Sequence, residues 1–521
     1  MSQPPQAETW AALQASVSQL RLAPEHVEAS VHHLSVVDKA RFADLFGVIE
    51  NDRLVLRAVF ALERDGRYAV VEWPVEGENY PQLSDIAPAA FVEECEIYER
   101  FGARPFGDKP LNRVLMAPHA EDSFQRLGFE LPADRRDALA PHFVAGEAFE
   151  FPVGPVRGVA QESLYLGLVT SGEEVIDVYL HQWHKHRGID QRLQGLPLRG
   201  ALFFAERLEG LSAVGNAWAF CRAAETITGL VPSDGTELAR GVALELERLY
   251  NHAAAVAALC QSTGLSVGQA QSELALEQFL RLNAACGGHR YLFGVLAVGG
   301  LNRAIEPEPV GALLRPAVDE LRRVISALLV SNSFLDRLEA CGIVTPEEAG
   351  RLGLVGPVAR GSGQEVDCRR HRSDGPYAGR GLSVPVRQAG DVLSRFEVMI
   401  AEIDESTRLI GEMIAAGLDG SLMEPSADAG GTAQAAESGV AGGSGEGVGP
   451  TGQALGWCES SRGESLAWLS VEDGLIRSAR LRPASVRNWR AFDDACRSRN
   501  VFTDVAIIEA SFWLTVAGFA R

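Results

Sequence analysis

The chain has 521 residues, 46% of them hydrophobic, which is too long for one ordinary core and enough for a large apolar interior, so two or three domains are expected. Its 69 acidic residues against 48 basic ones give a net charge of -21, which excludes a nucleic-acid partner because phosphate binding requires a basic face. Residues 1–30 show no basic start followed by an apolar run, and no stretch approaches the roughly 18 apolar residues of a membrane span. The longest candidate, Tyr291 to Leu301, is broken by glycine. A cytoplasmic protein is expected, one that reaches the inner face of the cell membrane only through embedded partner subunits. The eight cysteines include no C-x-x-C pair, so reduced, buried thiols are expected, with no metal and no iron-sulfur cluster held by this chain alone.

In chain order, Arg53 to Phe60 and Tyr68 to Trp73 read as strands, and Asp65-Gly66 between them is a two-residue hairpin signal. Ala87 to Gly102 follows with Phe91, Ile97, Tyr98 and Phe101 at helical spacing and glycine as the stop. These elements predict an N-terminal α/β domain over 1–135. A second block opens with strands near Phe149 and continues as long amphipathic helices. Ser233 and Thr236 are candidate caps of a helix from Glu237 to Gln261, and a stripe from Val392 to Met413 marks another from about Val386 to Ala416. Segments near 201–228, 267–296 and 309–340 supply the other helices of a bundle. Pro425 to Gly456, with 10 glycines in 32 residues, has little to bury and is expected to be a flexible surface insertion. Beyond it, Ile507, Ile508, Phe512 and Leu514 are too apolar for a free tail and must pack on the bundle. The predicted fold class is α+β: the N-terminal domain, a large helical domain with peripheral strands over 145–424 and 457–521, and the insertion at 425–456.

Several motifs resemble known families. Tyr80 to Leu115 resembles the small subunit that sits beside the quinone-site subunit of respiratory complex I. Glu94 to Gly102 stands for its E-R-E-x-Y-D-x-F-G helix and Phe106 to Leu115 for the F-x-G-H-P-x-L-R-R-x-L loop, with Asp108-Lys109 departing from it. That resemblance implies a docking role, so no catalysis is expected before residue 140. Most of residues 150–521 resembles the large subunit of energy-converting nickel-iron hydrogenases and the complex I quinone-site subunit. The motifs are Val153-Gly-Pro-Val156, Gly172-Glu-Glu-Val175, His184-Lys-His-Arg-Gly-Ile-Asp190, Glu245-Leu-Glu-Arg-Leu-Tyr-Asn-His252, and Gly356-Pro-Val-Ala-Arg-Gly-Ser-Gly363 followed by Asp367 and Arg369. A single chain fusing both parts is typical of the formate-hydrogenlyase type.

The metal-ligand motifs of that family are present as frames without their ligands. Glu206-Arg-Leu-Glu-Gly-Leu-Ser212 resembles E-R-x-C-G-x-C, with Glu209 and Ser212 at the cysteine places, and Thr515 and Gly518 stand where the closing D-P-C-x-x-C has its cysteines. Soft thiolates hold nickel and low-spin iron, and hard oxygen groups do not replace them, so hydrogen activation is excluded. The resemblance instead implies an oxidoreductase subunit that carries electrons from a neighbouring iron-sulfur subunit toward a quinone-type acceptor, alongside membrane-embedded proton-translocating subunits. The alternative is a non-catalytic scaffold in such a complex. The acceptor reading expects a hydrophobic cavity around Glu209 and Ser212; the scaffold reading expects it filled by Trp218, Phe203, Phe204 and Trp513.

Glu209, His186 and Arg187 are the cavity or proton-relay candidates, and Glu206, Arg207, Ser212, Arg360, Asp367 and Thr515 the lining candidates. Glu209 reads either as a relay carboxylate or as an ion-pair partner of Arg207 or another arginine. His181, His184 and His186 read as structural, and Glu162, Arg360 and Asp367 as packing and polar satisfaction. Two departures from complex I stand out: Arg157 to Gln161 lacks the family's histidine pair, and Phe204 replaces a tyrosine.

Overall fold

A computed structural model describes residues 17–107, 111, 114–115, 148–157, 162–182, 184–372, 375–418, 449–497 and 500–521. Asp108-Lys109, Gly158 to Gln161 and the end of the N-terminal domain near residue 135 lie outside the described residues.

The N-terminal domain is a four-stranded sheet in the order β1-β4-β3-β2, made by β1 (Val17–Arg21), β2 (Arg41–Glu50), β3 (Arg53–Leu62) and β4 (Arg67–Pro74). The tight hairpin is not at Asp65-Gly66. It is at Asn51-Asp52, where φ of 48° and 60° at both central residues gives the positive-φ turn that suits strand twist. The β3–β4 pairing stops at Leu62 and Arg67, leaving a four-residue connection from Glu63 to Gly66. One face of the sheet carries helices α1 (Val27–His32) and α2 (Phe91–Phe101), with Val27, Val31 and Ile97 in one core with Leu45, Leu56 and Trp73. The other face is covered as well, by the C-terminal sheet, which explains why Val55 to Ala61 is buried without alternation.

Four glutamates of α2 are buried and each has a structural partner. Glu94 accepts from the Leu83 and Ser84 amides, Glu99 from those of Val114 and Leu115, Glu93 pairs with Arg487 and Arg490, and Glu96 with Arg480 and Arg521. The short strands β5 (Asn79–Tyr80) and β6 (Arg104–Pro105) pair beside this helix.

The second part opens with an antiparallel sheet of β7 (Phe149–Val153), β8 (Tyr165–Ser171) and β9 (Glu174–His181). The expected helix at 201–228 is two helices, α3 (Leu198–Glu206) and α4 (Ala213–Thr228), interrupted at 207–212. α5 (Asp234–Ser262) is the central rod, 29 residues and so about 44 Å at 1.5 Å rise. Ser233 caps it by accepting from the Thr236 amide at 3.2 Å. α6 (Ser266–Gly287), the hairpin β10 (Leu296–Ala297) and β11 (Gly300–Leu301), and α7 (Pro307–Leu328) follow. The short α8 (Gly356–Gly361) precedes α9 (Val392–Ala416). α9 starts at Val392, the first residue of the apolar stripe and six residues after the expected start near Val386, because Asp391 caps it through the Ser394 amide and residues 386–391 form the approach.

After α9 the chain enters a sheet of β12 (Gly452–Ser460), β13 (Gly463–Glu472) and β14 (Leu475–Arg482), and ends with α10 (Asp504–Phe512). The end of the expected insertion, 449–456, therefore belongs to the folded part; residues 419–448 lie outside the described residues. β12 lies directly on α4, and a Cβ on Gly456 would sit 2.0 Å from the Ala219 carbonyl oxygen. Residues 454–519 share one apolar core with the bundle. The same sheet faces the N-terminal domain, where Trp468 meets Phe46 at 5.3 Å and Trp457 meets Tyr68 at 5.4 Å.

Candidate functional site

The break between α3 and α4 and the end of α10 meet in space. Trp513 has φ of 51°, a left-handed conformation that ends α10 and turns Leu514 to Gly518 back toward the break. The four cysteine-equivalent positions consequently gather. Thr515 donates its hydroxyl to Glu209 and lies 3.3 Å from the Ser485 hydroxyl, and a Cβ on Gly518 would be 2.5 Å from Glu209 Oε1. Ser212 accepts from Arg462 Nη1 at 2.6 Å. Glu209 is 1% exposed, Ser212 0% and Thr515 7%.

Arg187 reaches this group. Its guanidinium donates to the Leu208 carbonyl at 2.7 Å and to that of Ala517, tying the two ligand-equivalent loops together, and burial holds its pKa below the usual arginine value despite nearby Glu162 and Glu209. Glu162 accepts from the Val516 and Ala517 amides, and Arg157 forms a two-pronged pair with Glu509.

The other candidates do not join them. Glu206 and Arg207 pair with each other, Glu206 also accepts from the Gly294 amide, and Arg207 lies over the Phe203 ring at 3.6 Å. Arg207 is therefore no partner of Glu209, and Phe203, 54% exposed, fills no cavity. Trp218 is buried on α4 under Arg222, while Phe204 packs at the edge of the core. His186 turns away from Glu209 toward Glu96, Asp190 and Arg521; burial and Arg100 lower its pKa to about 4, so the imidazole is neutral. Arg360 and Asp367 do pair, at 3.4 Å, but within a fully buried cluster of the bundle rather than at a cavity wall.

One residue of the site is missing from the sequence reading. Arg462 sits at the buried turn between β12 and β13, donating to Ser212 and to the Trp513 carbonyl; its Nη2 is buried with no acceptor among the described residues. Trp513, one of the side chains the scaffold reading expects in the cavity, donates through Nε1 to Asn251, which in turn donates to the Leu211 carbonyl. A short Ser-Arg-Gly turn has no periodicity that marks it as buried, so only the neighbouring glycine hinted at it.

A nickel-iron centre does not fit these residues. The donors are a carboxylate, two hydroxyls and a glycine, the carboxylate and hydroxyls are already bonded to side chains, and Arg462 brings positive charge to the place a cation would need. Among the described residues no group of three or more His, Cys, Asp or Glu is placed to hold a metal ion. A pocket of about 680 Å³ lies elsewhere, between the N-terminal domain and β14, lined by Phe46, Ile97, Arg100, Asp190 and Arg480 among others.

Residues 274–521 match the family described as respiratory-chain NADH dehydrogenase, 49 Kd subunit. The chain is homologous to subunits of formate hydrogenlyase and of NADH-quinone oxidoreductase. It is 26% identical to formate hydrogenlyase subunit 5 of Escherichia coli (strain K12), over 85% of this chain and 77% of that protein. It is 27% identical to the carbon monoxide-induced hydrogenase of Rhodospirillum rubrum, over 66% of this chain and 92% of the relative. An NADH-quinone oxidoreductase subunit of Roseiflexus sp. (strain RS-1) is 26% identical, over 70% of this chain and 96% of the relative. The fold is shared with a chain in the structure of the membrane-bound sulfane sulfur reductase, an archaeal respiratory membrane complex, at a TM-score of 0.63 and 20% identity, covering 72% of this chain and 99% of that one. The α+β, hydrogenase-large-subunit-like architecture expected from the motifs is thus the one observed. Among the described residues no helix is long and apolar enough to cross a membrane.

Proposed function

We propose that this chain is a subunit of a membrane-associated complex I-like or hydrogenase-like oxidoreductase, and that it helps carry electrons from a neighbouring iron-sulfur subunit toward a quinone-type acceptor without a nickel-iron centre. The supporting observation is the Glu209, Ser212, Thr515 and Arg462 cluster: the family's ligand positions converge, yet they present proton donors and acceptors instead of metal ligands. Reduction of a quinone takes up protons as well as electrons, and a buried hydroxyl-carboxylate pair beside a guanidinium N–H with no acceptor is suited to meet a quinone oxygen. Peripheral attachment through partner subunits follows from the same reading.

A second reading, a scaffold with no redox role, is favoured by the closure of the same cluster, in which Glu209 and Ser212 are fully enclosed and already bonded. Quinone reduction by mildly solubilised membranes separates the two. If electrons pass this site, Glu209→Gln and Arg462→Met each lower quinone reduction at least tenfold while the complex still assembles; rates unchanged in both variants establish the scaffold.

A further inference from the structure

Behind the substituted site the bundle encloses a second polar cluster. α5 supplies Glu245, Arg248 and His252, α9 supplies Glu402, and Arg360 comes from α8. Asp367 and Arg369 follow on the next turn, and Glu459 comes from β12. All are at most 5% exposed. Four carboxylates face three arginines, so full ionisation with a neutral histidine leaves this buried cluster with one excess negative charge. An unpaired buried charge is so costly that a proton is taken up instead.

The hydrogen bonds indicate which group takes it. Glu245 is bonded by Arg248, by Arg369, by the Tyr377 hydroxyl at 2.6 Å and by the Ser406 hydroxyl at 2.7 Å. Asp367 receives Arg369 on both oxygens, and Glu402 receives Arg360 and His252 at 2.8 Å each. Among the described residues Glu459 accepts only from Arg360 at 2.9 Å and the Cys368 amide at 3.1 Å, and it faces the like charge of Asp367. His252 is the rival, but Arg248 and Arg360 stand against it and burial disfavours its charged form. The outer neighbours are satisfied elsewhere: Glu464, opposite Glu459 on β13, pairs with Arg41 and Arg482, Arg372 pairs with Glu63, Glu247 accepts the Val214 and Gly215 amides, and Glu405 pairs with Arg408.

We propose that Glu459 is held as a neutral carboxylic acid, giving this cluster an exchangeable proton on the strand that delivers Arg462 to the substituted site. Arg248 fastens that strand by donating to the Glu459 and Ser460 carbonyls, two residues from Arg462, so the cluster and the site share one backbone segment. Burial and Asp367 push the Glu459 carboxyl above its ordinary value, whereas Glu402 and Asp367, although burial opposes it, are held below theirs by the arginines. The inference does not depend on whether a quinone is the acceptor.

Infrared spectra of the full chain at pH 7, in light and heavy water, test it. A carboxylic-acid carbonyl component that shifts on deuteration should be lost in Glu459→Gln and retained in Glu247→Gln, which removes a different acid component. Glu459→Gln, which copies the neutral acid, should keep the wild-type unfolding temperature, while Glu402→Gln should lower it by several degrees. A Glu459→Gln chain that keeps every acid component, or that fails to fold, overturns the proposal. So does a nitrogen-15 histidine spectrum of the wild type in which His252 is an imidazolium, since the proton would then be on the ring.

Discussion

Thr515 satisfies a buried carboxylate with a single hydroxyl, so its contribution is large for so small a side chain. Thr515→Val keeps the shape and removes the donor, and should destabilise the chain by about 1–3 kcal/mol in denaturant unfolding, with Thr515→Ser restoring most of it. Glu247 makes a pH-dependent prediction. Burial raises its pKa from an ordinary 4.5 to about 8, so between those values the folded chain binds more protons than the unfolded one. Stability from this group is full below about pH 4.5 and is lost as pH rises to about 8. Glu247→Gln should flatten that decline and be more stable than wild type at pH 8, as read from urea midpoints across the range.

At this scale the cysteine-equivalent positions were legible because they sit in a fixed motif frame, and the structure does bring Glu209, Thr515 and Gly518 together. Neighbours in sequence were a poor guide to partners. Glu206 and Arg207 leave Glu209 because α3 ends at Glu206, and the next residues turn it and Arg207 toward Gly294 and Phe203.

At the level of elements, apolar spacing gave the rods correctly but not their ends. α9 begins where Asp391 can cap it, at the first residue of the apolar stripe and not at Val386, and α3 and α4 are separated by a break that buries Leu208, Glu209 and Ser212. Composition misplaced the start of the C-terminal sheet: Gly449 to Gly456 reads as part of a glycine-rich tract, yet Gly456 is glycine because α4 leaves no room for a Cβ. Gly456→Ala should therefore lower stability by about 3 kcal/mol or more, measured as a fall in the urea midpoint, whereas the same change at Gly411, where a Cβ meets nothing within 4 Å, should be neutral or slightly stabilising.

On the scale of the whole molecule, the N-terminal domain and the hydrogenase-like part are joined by the C-terminal sheet, through Trp468 against Phe46 and through Arg480 bonded to Asp44 and Glu96. Burial of the N-terminal sheet on both faces makes the two parts one unit, a feature that strand spacing alone does not reveal because a two-sided strand shows no alternation. Among the described residues no helix is long and apolar enough to cross a membrane. The proposed role is that of a subunit of a membrane oxidoreductase complex. The most direct measurement is mass spectrometry of the proteins recovered with the tagged chain from mildly solubilised membranes. A small iron-sulfur protein and multi-span membrane proteins in fixed proportion to the chain are expected; recovery of the chain alone, with neither, would contradict the proposed role.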